Sequence, residues 1–165
     1  MKVNIKLELR TREVYQLFER RISGARLFID AILHKFNVVM NRCRQKDPQA
    51  LASYKQMKQK IIEFTQQFTD EIARFETLLA IKKDFARTKV SYIPQFGPVI
   101  IVTNPLTILF IEFIEIYDKL IAALKLLQLA GCFKSDEIFW GNTKRFQKIA
   151  NQMLSNLVLT PATIR

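Results

Sequence analysis

The first ten residues of the chain contain side chains that suit contacts with DNA bases. Lys2, Asn4, Lys6 and Arg10 occupy even positions and alternate with apolar residues. Lysine and arginine donate to guanine O6 and N7, and asparagine can bind adenine through two hydrogen bonds. Successive side chains on one face of a strand stand about 7 Å apart, close to two base-pair steps. We therefore predict that these four residues read bases in the major groove.

The same alternation predicts the element that carries these side chains, a β-strand with one apolar and one polar face. An edge strand whose lysines discourage aggregation is the alternative interpretation of the pattern. A second strand is predicted at 99–103, where every residue is β-branched. The two strands can pair within one chain, or two copies can pair their first strands. The outward side chains of 99–103 are apolar, so they contact thymine methyl groups or are covered by protein.

The helices are predicted from apolar residues at helical spacing and from capping residues at their starts. Thr11 is expected to cap the first helix and Ser135 the last, and aspartate or asparagine followed by proline starts two others. The third helix, long and with gaps in its heptad pattern, is expected to pack within the chain more readily than against a second copy. The five predicted helices cover 12–22, 25–44, 48–85, 105–130 and 136–156.

The order strand, helix, helix occurs twice, at 3–44 and 99–156, with the long helix over 48–86 between them. The predicted fold is mainly α with a small two-stranded antiparallel β-ribbon. It is ribbon-helix-helix-like and compatible with a pseudo-duplicated β-α-α unit. We expect all 165 residues to form a single domain with a loose tail at 159–165.

The charge of the chain points to a polyanionic partner. The net charge is +11, and residues 1–46 hold 11 basic against 4 acidic residues, a net +7. We expect the second helix to begin directly after Ser23-Gly24, so that its free N–H groups bind a phosphate. Arg20 and Arg21 are expected to add backbone contacts. The main predicted phosphate contacts are Arg12, Ser23, Gly24, Arg26, Lys144 and Arg145.

The sequence lacks the residue patterns that are typical of catalytic and metal-binding sites. His34 is the single histidine, and the two cysteines lack metal or redox spacing. The acidic residues Glu112, Glu115 and Asp118 are interpreted as a solvated stripe on one helix. We expect no enzymatic activity, no cofactor, no metal and no small-molecule substrate. We also expect reduced thiols, a cytoplasmic protein, no signal peptide and no membrane span, because charges interrupt the apolar stretch 106–130.

Three functions remain compatible with these patterns. The first is a DNA-binding regulator that acts on double-stranded DNA as a homodimer or a higher homo-oligomer. The second is a helical adaptor or structural interaction protein whose basic face binds an acidic protein. The third is a membrane-surface protein that uses phenylalanine-rich helices. The basic strand and the concentration of charge beside it favour the first.

The chain resembles the AcaB-like transcriptional regulators of conjugative plasmids and integrating conjugative elements. Leu9-Arg10-Thr11 and Val102-Thr103-Asn104-Pro105 resemble the ends of the family's strands and the helix starts that follow. The apolar run 113–129, Gly131, and Gly141 with Arg145 and Phe146 resemble its later half. The chain departs from the family at Leu106-Thr107, where an aromatic and a small residue are expected. The resemblance implies an activator of transfer genes with a ribbon-helix-helix-like DNA-binding part.

Overall fold

The computed structural model describes residues 2–22, 24–82 and 93–161. It is mainly helical with one two-stranded antiparallel sheet, which confirms the predicted fold class. The order strand, helix, helix occurs on both sides of the long helix, as expected. The elements are β1 (Val3–Lys6), α1 (Arg12–Glu19), α2 (Phe28–Arg44), α3 (Pro48–Ile81), β2 (Val99–Val102), α4 (Pro105–Leu129) and α5 (Asp136–Leu159).

The ribbon forms within one chain. β1 and β2 pair antiparallel, with Asn4 opposite Ile101 and Lys6 opposite Val99. Side chains that are directly opposite in an antiparallel pair lie on the same side of the sheet. The polar residues of β1 therefore share a face with aliphatic residues of β2.

The two segments stay paired beyond the regular strands because the register does not change. The Leu7 N–H donates to the Pro98 carbonyl at 2.9 Å, and Leu9 and Phe96 exchange two backbone hydrogen bonds of 2.8 and 3.0 Å. Proline has no N–H, so Pro98 cannot return a bond to Leu7. The regular ladder ends at this position, although the two chains run alongside each other as far as Leu9.

Three of the predicted helix starts are confirmed, and one works differently. The capping side chains of Asp47, Asn104 and Ser135 each accept a backbone N–H from the first turn of their helix. Thr11 occupies the cap position of α1, but its hydroxyl makes no capping bond. It donates instead to Asp118 of α4 at 2.8 Å. This contact joins the start of α1 to the most buried helix.

The segment between α1 and α2 corrects the predicted start of the second helix. α2 begins at Phe28, and the residues before it form a small hairpin. The Ile22 N–H donates to the Arg26 carbonyl at 3.0 Å, and the Phe28 N–H donates to the Arg20 carbonyl at 2.8 Å. Gly24, with φ of 60°, lies in this hairpin. The first helix correspondingly ends at Glu19, and these backbone pairs replace the helix predicted at 25–27.

The core lies around α4, which has 15 buried residues among its 25 and is the most buried of the described helices. α3 packs along it within the same chain. The Phe68 ring of α3 lies 5.5 Å from Phe113, 5.7 Å from Tyr117 and 5.8 Å from Phe146 of α5, measured between centroids. Aromatic pairs at these distances add to the stabilisation that burial provides. The ribbon contacts this set of packed helices through α4, which lies next to β2.

Two predicted boundaries fall partly outside the described residues. α3 is described as far as Ile81, and the predicted end of the long helix at 85–86 lies outside the described part. α5 continues to Leu159, three residues beyond the prediction. Most of the tail expected to be loose, 162–165, is also outside the described part. Within residues 2–22, 24–82 and 93–161, no helix has both the length and the apolar character needed to cross a bilayer.

Candidate nucleic-acid interface

The outer face of the ribbon has a polar half and an apolar half. Asn4 and Lys6 of β1 are exposed, and so are their partners on β2. Ile101 is 51% exposed and Val99 is 59% exposed. Lys2 precedes β1, has the same parity as Asn4 and Lys6, and is exposed. The structure thus brings three of the four predicted base-reading residues to one surface.

The Lys6 side chain passes directly over Gly97, which has no side chain of its own. Gly97 lies on the segment paired with β1, close to the Lys6 methylene groups. A β-carbon added at Gly97 would overlap Lys6 Cε, whereas the nearest backbone atom, the Leu7 carbonyl oxygen, would stand at 3.6 Å. Any side chain at 97 would therefore displace the lysine and leave the backbone in place.

Gly97→Ala is expected to separate DNA binding from stability. Because the end of the Lys6 side chain is flexible, the free energy of unfolding should change by less than about 1 kcal/mol. If Lys6 contacts a base, as the sequence predicts, displacement of its ammonium group should lower DNA affinity by up to the roughly 1–3 kcal/mol that one base contact contributes. Urea unfolding and fluorescence anisotropy with one duplex measure the two effects.

Gly141→Ala is the matched control for this variant. Gly141 lies in α5, and a β-carbon there would have no neighbour within 4 Å. Alanine favours helix over glycine by about 1 kcal/mol, so stability should rise while DNA affinity stays unchanged. Equal DNA affinity of Gly97→Ala and wild type would contradict a role for the Lys6 position.

Asp118 fixes the end of the ribbon to α4. Its carboxylate accepts the Arg10 N–H at 2.9 Å, the Thr11 N–H at 2.9 Å and the Thr11 hydroxyl at 2.8 Å. The residue is 2% exposed. The interpretation of Asp118 as part of a solvated stripe is therefore wrong, while Glu112 and Glu115 on the same helix are exposed. The burial of Asp118 depends on Thr11, which is more than a hundred residues away in the sequence. Helical spacing within α4 does not reveal such a contact.

Arg10 and Arg12 lie at the ribbon's end and not among its paired residues. Arg10 follows Leu9, the last paired residue, and is half-buried beside Asp118. Arg12 is exposed at the first position of α1. Arg10 therefore stands apart from the face that holds Asn4 and Lys6. Both arginines therefore lie beside the end of the ribbon.

The predicted phosphate site at Ser23-Gly24 is not built as expected. Ser23 lies outside the described residues, and Gly24 precedes the first residue of α2 by four positions. The free N–H groups at the start of α2 are therefore not beside Gly24. Asp30 lies in that first turn instead, and a carboxylate there competes with a phosphate. Arg26 is exposed on the hairpin and remains available for backbone contacts.

A groove between α2 and the ribbon was not anticipated from the sequence. The Asn37 side-chain oxygen accepts the Thr103 hydroxyl at 2.6 Å and the Asn104 amide at 2.8 Å, which ties α2 to the end of β2. Polar residues at helical spacing on α2 were the available signal. The groove has a volume of about 300 Å³ and is lined by Lys2, Asp30, Leu33, His34, Asn37, Ile101 and Thr103.

A second polar surface follows α5. Lys144 is exposed on it, whereas the Arg145 guanidinium stacks on the Phe146 ring at 4.5 Å. The Arg20 guanidinium reaches the same surface at Asn151, 3.5 Å away. The amide residues were missed from the sequence, although they recur at helical spacing. A groove of about 630 Å³ is lined here by Lys144, Gln147, Lys148, Asn151, Gln152, Ser155 and Asn156.

The titratable groups with shifted pKa values are held in their neutral forms. Burial, with the negative charge of Asp47, raises the pKa of the Cys43 thiol. Burial, with the charge of Glu13, raises the pKa of the Tyr117 hydroxyl above its usual range. Neither group is activated as a nucleophile at neutral pH. Among residues 2–22, 24–82 and 93–161, no three His, Cys, Asp or Glu side chains converge to hold a metal ion.

Comparison with known proteins supports the fold. No protein-family model matches the chain, and no curated protein matches its sequence. Among solved structures, AcaB from uropathogenic E. coli is similar, with a TM-score of 0.60 and 15% sequence identity. The similarity covers 96% of this chain and 76% of that chain. The chain therefore has an AcaB-like fold, as its resemblance to that family implied.

Proposed function

We propose that this protein is a DNA-binding regulator of transcription in conjugative elements, and that its β-ribbon enters the major groove. The observation that carries the proposal is the exposed face with Asn4 and Lys6 on a two-stranded ribbon. A two-stranded ribbon has the dimensions of the major groove, where each base pair presents a distinct pattern of donors and acceptors. The protein acts by binding and has no enzymatic activity.

Each residue of the ribbon has a role that follows from its chemistry. Asn4 binds adenine through two hydrogen bonds, and Lys6 donates to guanine O6 or N7. Lys2, one step further along the same face, donates to guanine or to a phosphate. Arg10 and Arg12 bind phosphates beside the ribbon, because they lie past its last pair. In this assignment Asn4 and Lys6 read the base sequence, whereas Arg10 and Arg12 position the protein on the DNA backbone.

A single ribbon reads few base pairs, so we infer that the protein binds as a homodimer or a higher homo-oligomer. Two copies related by a two-fold axis would read two half-sites of a palindromic target. The resemblance to AcaB-like regulators, together with the AcaB-like fold, supports a regulatory role in conjugative elements.

The second candidate is an adaptor that binds an acidic protein. The observation that favours it is the polar surface of α5, where Lys144 and Lys148 line a groove with amide side chains. Salt weakens both kinds of complex, because both depend on charge. Sequence preference separates them, since only a regulator discriminates between DNA sequences.

A competition gel shift tests the proposal. The probe is the DNA upstream of the transcription units that neighbour the gene, in the presence of excess unrelated duplex. Specific complexes are typically at least about 10³-fold tighter than non-specific ones, so the shifted band should persist. Complete loss of the band, at a competitor level that only titrates non-specific binding, would favour the adaptor.

Variants of α5 are expected to change DNA binding uniformly. Lys144→Ala should weaken binding to all sequences and lower the slope of log affinity against log salt by about 1, as for one lost phosphate contact. Arg145→Ala should have a smaller effect, because its guanidinium is stacked on Phe146. Lys58→Ala, which removes an exposed lysine of α3, is the control. A change in the preferred sequence would argue against a phosphate contact.

A further inference from the structure

The ribbon face has an asymmetry that hydrogen-bonding side chains do not explain. Two aliphatic residues, Ile101 and Val99, lie on the outer face and are 51% and 59% exposed. Each is directly opposite a polar residue, Ile101 opposite Asn4 and Val99 opposite Lys6. Covering an exposed aliphatic side chain with an apolar group lowers the free energy, because apolar surface is removed from water.

The backbone pattern shows how close each polar side chain is to its aliphatic partner. Leu9 and Phe96 form a hydrogen-bonded pair in the same register. Because such pairs alternate with non-hydrogen-bonded pairs, Asn4 with Ile101 is of the second kind, where opposite side chains are closest. Their β-carbons stand about 4.5–5.5 Å apart. A group that Asn4 binds is therefore within a base-pair step of a group that Ile101 contacts.

We propose that Ile101 and Val99 bind thymine 5-methyl groups in the major groove. This inference rests on the proposed function and gives the chemistry of the target. Thymine has the only methyl group on the major-groove edge of the four standard bases, and aliphatic side chains recognise it by contact. The ribbon then reads each step twice, by a hydrogen bond from β1 and by apolar contact from β2. The preferred target has a thymine beside the adenine bound by Asn4 and another beside the base bound by Lys6.

A second copy of the chain is a less suitable cover for these residues. The apolar part of the ribbon face consists of two side chains, Ile101 and Val99. Their combined surface area is far below the about 800 Å² per partner that a stable protein interface buries. Lys2 and Lys6 share the face, so face-to-face packing of two ribbons would place like charges together. In DNA the same lysines meet phosphates and guanine acceptors, and the aliphatic residues meet methyl groups.

Uracil provides the test, because it differs from thymine only by the absent methyl group. A duplex selected by the wild-type protein from a random-sequence library is synthesised once with thymidine and once with deoxyuridine. The wild type should bind the thymidine duplex about fourfold more tightly for each methyl contact. Ile101→Ala should lose part of this preference, and the double variant with Val99→Ala should lose all of it. Ile62→Ala on α3, where Ile62 is 45% exposed, should keep it.

The outcomes distinguish the inference from the function on which it rests. Equal binding of both duplexes by wild type, with resistance to competitor DNA intact, overturns methyl reading and leaves the regulator in place. Full preference in the double variant overturns the assignment to Ile101 and Val99. Failure to select any sequence overturns the proposed function itself. Loss of oligomers on sedimentation of Ile101→Ala, with no thymine preference in wild type, would assign the face to a second copy instead.

Discussion

Replacing Asp118 by alanine is expected to lower the free energy of unfolding by about 3–5 kcal/mol. The carboxylate is buried and accepts three hydrogen bonds from Arg10 and Thr11. Its removal leaves two backbone N–H groups and a hydroxyl without their partner, in a site that excludes water. It also releases the end of the ribbon from α4. Urea unfolding followed by circular dichroism measures the loss.

Two further variants show whether the hydrogen bonds cause this effect. Asp118→Asn keeps one oxygen acceptor but presents an amide N–H₂ to the Arg10 N–H, so about half of the loss should appear. Glu115→Gln on the exposed side of the same helix should change stability by less than about 0.5 kcal/mol. A loss of the same small size in Asp118→Ala would show that the three hydrogen bonds contribute little.

The double variant Asn4→Ala/Lys6→Ala is expected to lose at least about 30-fold in affinity for the specific duplex. Each base contact contributes about 1–3 kcal/mol, so two contribute at least about 2 kcal/mol. Asn4→Ala alone should also relax the preference for adenine at one position of the site. Fluorescence anisotropy with the selected duplex and with single-base variants measures both effects. Stability should be unchanged, since both side chains are exposed.

Lys58→Ala on α3 is the control for the lost charge in this experiment. It removes one positive charge at an exposed position away from the ribbon, so it changes long-range attraction to DNA without a base contact. Equal losses in Lys58→Ala and Lys6→Ala would mean that Lys6 acts only through charge. Specific binding that survives in the double variant would exclude the ribbon as the reading element.

Local patterns in the sequence were enough to predict the elements of this fold. Alternation at residues 2–10 predicted a strand whose even positions face outward, and Asn4 and Lys6 do so. Asp47-Pro48 and Asn104-Pro105 predicted two helix starts, because capping and the fixed φ of proline act within one turn. Each of these features depends on neighbouring residues alone.

Features that depend on distant residues were not predictable in the same way. Asp118 belongs by spacing to a polar stripe, and only its contacts with Thr11 reveal its burial. In the first turns of α3, Leu51 is exposed and Met57 is buried, because packing against the neighbouring helices sets the buried side. The hairpin before Phe28 likewise depends on backbone pairing across the loop. Tertiary contacts decided all three.

In the candidate site, too, features that depend on neighbouring residues were predictable and features that depend on distant residues were not. The parity of the strands predicted that β2 would present aliphatic side chains, but the pairing register was needed to place Ile101 against Asn4. The groove formed with Asn37 depends on how α2 is oriented beside the ribbon. Helical spacing cannot supply such an orientation, since it describes one element at a time.

The pairing of Val3 with Val102 also sets the order in which the protein matures during synthesis. The two residues are 99 positions apart, so β1 leaves the ribosome long before its partner exists. At about 5–20 residues per second, the first strand waits on the order of 5–20 s with its apolar side uncovered. Closing so long a loop before other contacts form is unfavourable, and packing of α3 on α4 shortens it. The outer face of the ribbon therefore forms only after the segment that contains Val99–Val102 has left the ribosome.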